Sequence, residues 1–255
     1  MDVNIAGVLR GIPGWEDARF EALPGGHTNH TWLLTAGERK AVLKIDPTPR
    51  SAPYNTRTRE ATMQSLAADC GLAGRVLFTS DTIYLSEYLE GEVWTVGSFA
   101  DNENIERLAE ALRRLHSLPQ TGRTFDALSA ARDYASCIVN PDEARVTACL
   151  QTIAAEAPGP SVCFCHNDLV VDNIVSVPET RFLDWEYACD NDPFFDLATI
   201  TTHHGLTEEK AEVLLDAYFD GDGERHREHL ARQAGVYSAL LYLWERSRNV
   251  TWQSL

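Results

Sequence analysis

The chain has 255 residues, of which 44% are hydrophobic, so it is long and apolar enough to bury the core of one large domain or two small lobes. Its formal net charge of −16 would repel DNA or RNA and attract a cationic substrate, although acidity that serves solubility alone would give the same charge. The start of the sequence lacks a basic and apolar leader, and no run approaches the ~18 apolar residues of a membrane span, so we expect a cytoplasmic protein with no membrane span and with reduced cysteines.

The first 90 residues are predicted to be mainly β. Turn residues at 36–39 separate two apolar, β-branched segments and predict a hairpin, and Ser80-Asp81 forms the tip of a second hairpin. Strands are therefore predicted at 30–35, 40–45, 75–79 and 82–88, with a helix at 56–69.

From about residue 91 the apolar residues follow helical spacing, as Ile105, Leu108 and Leu112 show. Three short apolar strands interrupt this helical part of the chain. Helices are predicted from Asp101 or Asn102 to about Leu115, at 129–156 with a break at Pro141, and at 194–203, 208–219 and 226–248; the strands are predicted at 162–165, 173–177 and 181–183. This order predicts an α+β protein with a β-rich N-terminal lobe and an α-rich C-terminal lobe, joined near 87–91.

The stretch Cys165–Ile174 contains the pattern H-x-D-x-x-x-x-N, and L-D-W-E-Y follows at 183–187. Phosphoryl transfer needs a carboxylate that accepts or orients the hydroxyl proton, and hard oxygen ligands for Mg²⁺. Asp168 lies on a loop after an apolar strand and fits the base. Asn173 and Asp184 lie at the ends of the next two strands and fit the metal ligands. Each residue alone could be a solvated loop residue, but the three together favour a phosphotransferase site.

Lys44 lies within an apolar predicted strand, and lysine is rarely buried without a partner. Glu60 on the following helix is the natural partner, and such a pair would direct the ammonium group towards phosphates. An edge-strand lysine kept in water is the alternative. Gly25, Gly26 and Asn29 form a glycine-rich corner whose backbone amides would cover phosphates, although the full G-x-G-x-x-G pattern is absent.

Cys163, Cys165 and His166 are close enough in sequence to suggest a metal site. The same residues, with Val162 and Phe164, also fit a buried strand, because cysteine is a good small core residue. The sequence shows no second pair of ligands, which favours the buried strand over a zinc site.

The sequence resembles the choline kinase, thiamine kinase and aminoglycoside phosphotransferase superfamily, which shares the protein-kinase-like two-lobe fold. The resemblance extends over about residues 22–245 and rests on these features: G-G-x-x-N at 25–29, Lys44, Glu60, H-N-D-L-x-x-D-N at 166–173 and L-D-W-E-Y at 183–187. D-W-E-Y-A followed by N-D-P-x-x-D-L-A at 191–198 is most similar to bacterial choline and ethanolamine kinases.

The resemblance implies a nucleotide-binding lobe at 1–90, a catalytic and acceptor-binding lobe at 91–255, and the cofactors ATP and Mg²⁺. It assigns roles as follows: Asp168 as the base, Asn173 and Asp184 as magnesium ligands, Lys44 as the phosphate-binding cation, and Glu87 and Leu89 as backbone contacts to adenine. It also implies that Asp196 and His166 brace the catalytic loop. The chain is short for this family, and its phosphate loop carries His27 and His30 rather than only small residues, so the acceptor site is less well defined than the ATP site.

A quaternary ammonium acceptor would favour aromatic faces and a carboxylate, with each cation–π contact worth about 0.5–2 kcal/mol. Trp185, Glu186 and Tyr187 adjoin a predicted metal ligand. Tyr237 and Trp244 are seven residues apart and share one face of the last helix. Tyr187 and Trp244 are the leading candidates, and a purely structural core face is the alternative.

We therefore expect an ATP-dependent kinase of a small cationic alcohol, most plausibly choline or ethanolamine. Thiamine or an aminoglycoside is the alternative acceptor. An inactive kinase-like nucleotide-binding module is the alternative from another class, but Lys44, Asp168, Asn173 and Asp184 are all present. A protein kinase is disfavoured because D-F-G and an activation segment are absent. The oligomeric state is not determined by the sequence.

Overall fold

The computed structural model describes residues 4–23, 30–50, 55–156 and 161–248. The strands, in chain order, are β1 (Arg19–Ala22), β2 (His30–Ala36), β3 (Arg39–Ile45), β4 (Val76–Thr79), β5 (Ile83–Glu87), β6 (Glu92–Val93), β7 (Cys163–Cys165), β8 (Ile174–Val177), β9 (Glu179–Phe182) and β10 (Cys189–Asn191). The helices are α1 (Ile5–Leu9), α2 (Arg57–Asp69), α3 (Asn102–His116), α4 (Ala127–Ser136), α5 (Glu143–Ala155), α6 (Pro193–His203), α7 (Glu208–Tyr218) and α8 (Arg227–Ser247).

The chain divides into two compact units. The first contains the chain up to Val93 together with Val175–Tyr187, and the second contains the remainder. The sequence placed a single boundary at residue 90 and assigned every later residue to the second lobe. The observed division differs at 175–187, because this segment builds onto the first unit.

The first unit contains an antiparallel sheet in the order β1-β2-β3-β5-β4, and both predicted hairpins are confirmed. Strand β3 therefore lies in the interior of the sheet. The sequence missed α1 and β1. Strand β1 has only four residues, all of them exposed, and α1 has only five residues, so both give a weak signal in the sequence. Ile5 and Leu9 of α1 nevertheless pack into the same core as Leu34 and Leu43 of the sheet.

A second sheet explains why 175–187 belongs to the first unit. Its order is β6-β8-β9, so the late hairpin β8–β9 pairs with the strand that follows the connector. Gly91 makes this approach possible, because a Cβ atom at that position would collide with the carbonyl oxygen of Ser176. The amide of Phe182 also donates to the carbonyl of Leu72 at 2.8 Å.

The second unit is mainly helical. Helix α8 packs against α4, α5 and α6, and α3 packs against α7. The predicted break near Pro141 is confirmed, since α4 ends at Ser136 and α5 begins at Glu143 with Asp142 as its N-cap. Strand β7 pairs with β10, which the sequence missed because its residues Cys189-Asp190-Asn191 do not resemble a strand. Within the described part of the chain, no helix is long and apolar enough to cross a membrane.

Candidate active site

Lys44 in the first unit is buried and forms two ion pairs. Its Nζ lies 2.7 Å from Glu60 Oε1 and 2.8 Å from Asp184 Oδ1. Burial alone would lower the pKa of Lys44, but the negative charges of Asp184 and Glu60 outweigh burial and raise this pKa above its usual value. The ammonium group is therefore charged throughout the physiological range. The predicted pairing with Glu60 is confirmed, and the alternative of an edge-strand lysine in water is excluded because β3 is interior.

A second layer of charges, which the sequence analysis missed, holds Glu60 in place. Arg57 NH1 donates to Glu60 Oε2 at 2.6 Å, and two other nitrogens of Arg57 each donate to Asp46 at 2.8 Å. Arg50 joins the network by donating to Asp46 at 2.9 Å and to Glu186 at 2.6 Å. The sequence did contain a signal for this pair: Arg57 and Glu60 are three residues apart and therefore lie on the same face of the predicted helix. Each carboxylate in this network therefore accepts from a cation.

Asp184 occupies a strained backbone position after β9, with a φ of 60°. The side chain of Asp184 is 32% exposed, whereas that of its ion-pair partner Lys44 is 10% exposed. Trp185 is fully buried and donates from Nε1 to the carbonyl of Phe182 at 3.1 Å. Trp185 was predicted to line the acceptor site, but this burial places it in the core, so we leave it out of that site.

Glu186 and Tyr187 were also predicted to contact the acceptor. The carboxylate of Glu186 is nearly buried and forms an ion pair with Arg50, at 2.6 Å. Burial and the charge of Asp184 raise the pKa of Glu186. Its observed partner is Arg50, and its contact with the acceptor stays a prediction. Tyr187 is half-buried.

The loop after β7 in the second unit is held by one buried carboxylate. Asp196 accepts from the backbone amide of His166 at 2.8 Å and from that of Asn167 at 2.7 Å. Asn167 has a positive φ of 66°, a conformation that asparagine tolerates better than most residues. His116 Nε2 also lies 3.1 Å from Asp196. The bracing role implied for Asp196 is thus confirmed.

Asp168 and Asn173 are in direct contact within this unit. The side-chain nitrogen Nδ2 of Asn173 donates to the main-chain oxygen of Asp168 at 2.8 Å and to the carboxylate of Asp168 at 3.1 Å. Because that nitrogen is occupied, the amide oxygen of Asn173 is the atom suited to a cation. This contact places the predicted base next to one of the predicted magnesium ligands.

The oxygen atoms of Asn173 and Asp184 suit Mg²⁺, which prefers hard oxygen ligands. In the second unit, the side-chain nitrogen of Asn173 donates to Asp168, which leaves the side-chain oxygen of Asn173 for the metal ion. At Asp184, the partly exposed carboxylate supports it for the first unit. The residues present therefore fit the predicted ion.

The negative charge of Asp168 acts on two tyrosines, Tyr237 and Tyr134. Burial and the negative charge of Asp168 raise the pKa of Tyr237, whose hydroxyl also lies 2.7 Å from His203 Nδ1. Burial likewise raises the pKa of Tyr134, and Asp168 contributes to the shift. Tyr134 was missed because nothing in its local sequence links α4 to the catalytic loop. On α8, the guanidinium of Arg248 lies 5.2 Å from the ring centroid of Trp244.

The residues predicted to bind the nucleotide are only partly described. Gly25, Gly26 and Asn29 lie outside the described residues. Glu87 ends β5, where its carboxylate accepts from the backbone amide of Arg75 at 3.2 Å. Leu89 follows two residues later in the connector.

His204 controls the backbone next to Asn173, because its Nε2 accepts from the amide of Val171 at 3.0 Å while Nδ1 donates to the carbonyl of Ile200 at 2.8 Å. The bond from Val171 requires the neutral ring, because Nε2 accepts only when it carries no proton. Burial lowers the pKa of His204 to about 4, against the opposing effect of the Ile200 carbonyl.

We expect the free energy of unfolding to fall as the pH drops from about 6.5 towards 4, because only the unfolded chain takes up a proton on this ring in that window. The contribution of His204 is up to about 3 kcal/mol and is fully present above pH 6.5. Urea unfolding at pH 8 and at pH 5 measures this change in the free energy of unfolding. In His204→Gln, which keeps an acceptor for Val171, the loss between the two pH values should be smaller; an equal loss would contradict the assignment.

Comparison with known proteins identifies a family and several relatives of this chain. The profile of the phosphotransferase enzyme family matches residues 19–232. Protein LicA of Haemophilus influenzae is 30% identical over 217 residues, covering 80% of this chain and 63% of the relative. The chain thus spans less than two thirds of that relative's length. Thiamine kinase of Salmonella typhi is 29% identical over 208 residues, covering 79% of this chain and 70% of the relative.

Solved structures show the same fold. Choline kinase LicA from Streptococcus pneumoniae has a TM-score of 0.81 at 22% identity, covering 97% of this chain and 92% of that chain. LicA in complex with AMP has a TM-score of 0.79 at 22% identity, covering 96% of this chain and 89% of that chain. The predicted kinase-like α+β fold is therefore confirmed.

Proposed function

Because the chain belongs to the phosphotransferase enzyme family, we propose that it transfers the γ-phosphate of ATP to the hydroxyl group of a small cationic alcohol, choline or ethanolamine. The observation that carries this proposal is the contact of the Asp168 carboxylate with Asn173 on a loop braced by Asp196; burial and the charge of Asp168 also raise the pKa of Tyr134 and of Tyr237. A proton acceptor next to aromatic faces suits an acceptor that combines a hydroxyl with an ammonium group.

In the proposed reaction, Asp168 accepts the proton of the acceptor hydroxyl as the hydroxyl oxygen attacks the γ-phosphorus of ATP. The bond from that phosphorus to the bridging oxygen breaks, and ADP leaves. Lys44, held by Glu60, binds the phosphates of the donor. Mg²⁺, when held by Asn173 and Asp184, would neutralise phosphate charge. The AMP complex of a protein with the same fold supports an adenine nucleotide as donor.

The preference for a cationic acceptor rests on the aromatic side chains and on charge. The net charge of −16 attracts cations at long range. At short range, the guanidinium of Arg248 lies 5.2 Å from the centroid of the Trp244 ring, so an acceptor cation would replace this guanidinium or use the opposite face of the ring. The similarity to LicA favours choline, since a protein of that name and fold is a choline kinase.

Thiamine is the second candidate acceptor, because it is also a cationic alcohol and a thiamine kinase is 29% identical to this chain. An inactive nucleotide-binding module is disfavoured, because Lys44, Glu60, Asp168, Asn173 and Asp184 are all present and paired as described.

Purified protein with ATP and Mg²⁺ should release ADP in the presence of one cationic alcohol and not without it. The panel is choline, ethanolamine, thiamine and kanamycin. A signal with choline or ethanolamine supports the proposal as stated, and a signal with thiamine or kanamycin alone moves the acceptor while keeping the reaction. ATP binding without turnover on any of them would contradict the proposed acceptor class.

We expect Trp244→Ala to raise the KM for choline by about 2- to 30-fold, which corresponds to losing one cation–π contact of about 0.5–2 kcal/mol. The KM for ATP should stay constant. The matched control is Tyr242→Ala, because Tyr242 lies two positions away on α8 and its ring contacts a different cation, Arg145, at 4.6 Å. Equal effects of the two substitutions on the choline KM would place the acceptor cation elsewhere.

A further inference from the structure

Two cysteines and one histidine form a compact group in the second unit, directly before the catalytic loop. Cys163 and Cys165 are two residues apart on β7 and therefore point to the same side of the strand. Their sulfur atoms lie 3.7 Å apart. One ligand atom each from Cys163, Cys165 and His116 lie within 4.8 Å of one another.

The sulfur separation matches that of a tetrahedral zinc site. Two thiolates bound to Zn²⁺ at about 2.3 Å, with a tetrahedral angle between them, lie about 3.8 Å apart. The observed pair therefore needs almost no movement to bind one ion. A histidine nitrogen at about 2.0–2.1 Å from the same ion would complete three protein ligands, a common number in zinc sites with one exchangeable position.

We propose that Cys163, Cys165 and His116 form a binding site for a thiophilic divalent cation, represented by Zn²⁺. On binding, each thiol releases its proton to solvent, and no oxidant or reductant is needed. The fourth position is filled by water or by the hydroxyl of Tyr218, which lies 2.6 Å from His116 Nδ1. Cys163 is half-buried, so an ion can reach the group from the surface.

The third ligand differs from the one that the sequence suggested. His166 is adjacent to Cys165 in the chain, but it does not belong to the group, and His116 at the end of α3 does. The sequence disfavoured zinc because no further ligand lay near the cysteines. The fold supplies that ligand from a distant helix.

The site would be coupled to the catalytic loop through His116. The two ring nitrogens of His116 contact Tyr218 and Asp196, and a nitrogen that binds a metal must give up its present partner. Asp196 is the carboxylate that holds the backbone amides of His166 and Asn167. Occupancy of the site therefore changes either this contact or the neighbouring one to Tyr218.

Binding is tested with Zn²⁺ alone on the metal-free, reduced 255-residue chain, without ATP or Mg²⁺, in competition with a chromophoric indicator. We expect one Zn²⁺ per chain, bound at least about 100-fold more weakly by Cys163→Ser, because even changes behind the ligands cost up to that factor. The matched control is Cys137→Ser, which removes an exposed thiol outside the group. Equal far-UV circular dichroism and thermal midpoints verify that the variants are folded.

Cobalt identifies the ligands. With Co²⁺ in place of Zn²⁺, the wild type and Cys137→Ser should show a sulfur-to-cobalt charge-transfer band that Cys163→Ser lacks and that His116→Gln shifts. The proposal is overturned if the wild type binds no stoichiometric Zn²⁺, or if Cys163→Ser binds as tightly as Cys137→Ser. An unchanged cobalt spectrum in His116→Gln would remove the histidine and with it the three-residue site.

Discussion

Asp168→Asn is expected to lower kcat by about 10²- to 10⁴-fold, the range found when a general base is removed. Asparagine keeps the shape of the side chain but cannot accept the proton of the acceptor hydroxyl. The loop should keep its conformation, because Asn173 also donates to the main-chain oxygen of residue 168 and Asp196 holds the two preceding amides. ATP affinity, measured by calorimetry, should therefore stay near the wild-type value.

The matched control is Asp172→Asn, which removes the same charge from an exposed position four residues along the same loop. It should retain nearly full turnover, so that loss of loop charge is separated from loss of the base. Turnover by Asp168→Asn at the rate of this control would show that Asp168 is not the base.

Lys44→Met is expected to reduce kcat/KM for ATP by about 10²- to 10³-fold, comparable to the loss of one preorganised donor from a buried catalytic site. The substitution removes the cation that contacts both Glu60 and Asp184. The protein should still fold, because Glu60 keeps its ion pair with Arg57 at 2.6 Å and so is not left as an unpaired buried charge. Initial rates over a series of ATP concentrations measure the effect.

Lys40→Met provides the matched control, since Lys40 lies on the same strand but pairs with Glu90 at an exposed position. An exposed pair of this kind contributes little to stability because solvent screens it, so this variant should be close to wild type in both rate and stability. If the two variants showed the same kcat/KM for ATP, Lys44 would have no specific role with the donor.

The parts of the fold that the sequence predicted well share a strong local signal. The hairpin β2–β3 has apolar and β-branched residues on both sides of a glycine-containing turn, and α3 has apolar residues at helical spacing with an aspartate cap. The parts that it missed are short or polar. Strand β10, for example, is defined by its pairing with β7 and has little strand character of its own.

The candidate site divides in the same way. Asp168, Asn173 and Asp184 were recognisable because polar residues at strand ends have few structural reasons to occur in that pattern. Adjacency in sequence was a poor guide at Trp185, because this residue follows Asp184 in the chain but its ring is buried in the core. Tyr134 and the pairing of Arg50 with Glu186 were missed because the interacting residues are distant in the chain, and local spacing carries no information on such contacts.

The central claim is that this chain forms a phosphate ester on the hydroxyl of a small cationic alcohol. Phosphorus NMR of a reaction with ATP, Mg²⁺ and choline, comparing wild type with Asp168→Asn, tests it most directly. We expect a new phosphomonoester resonance that the wild type forms in step with ADP and that is nearly absent in the variant. Inorganic phosphate as the sole new product, or the same ester formed at equal rates by both proteins, would contradict it.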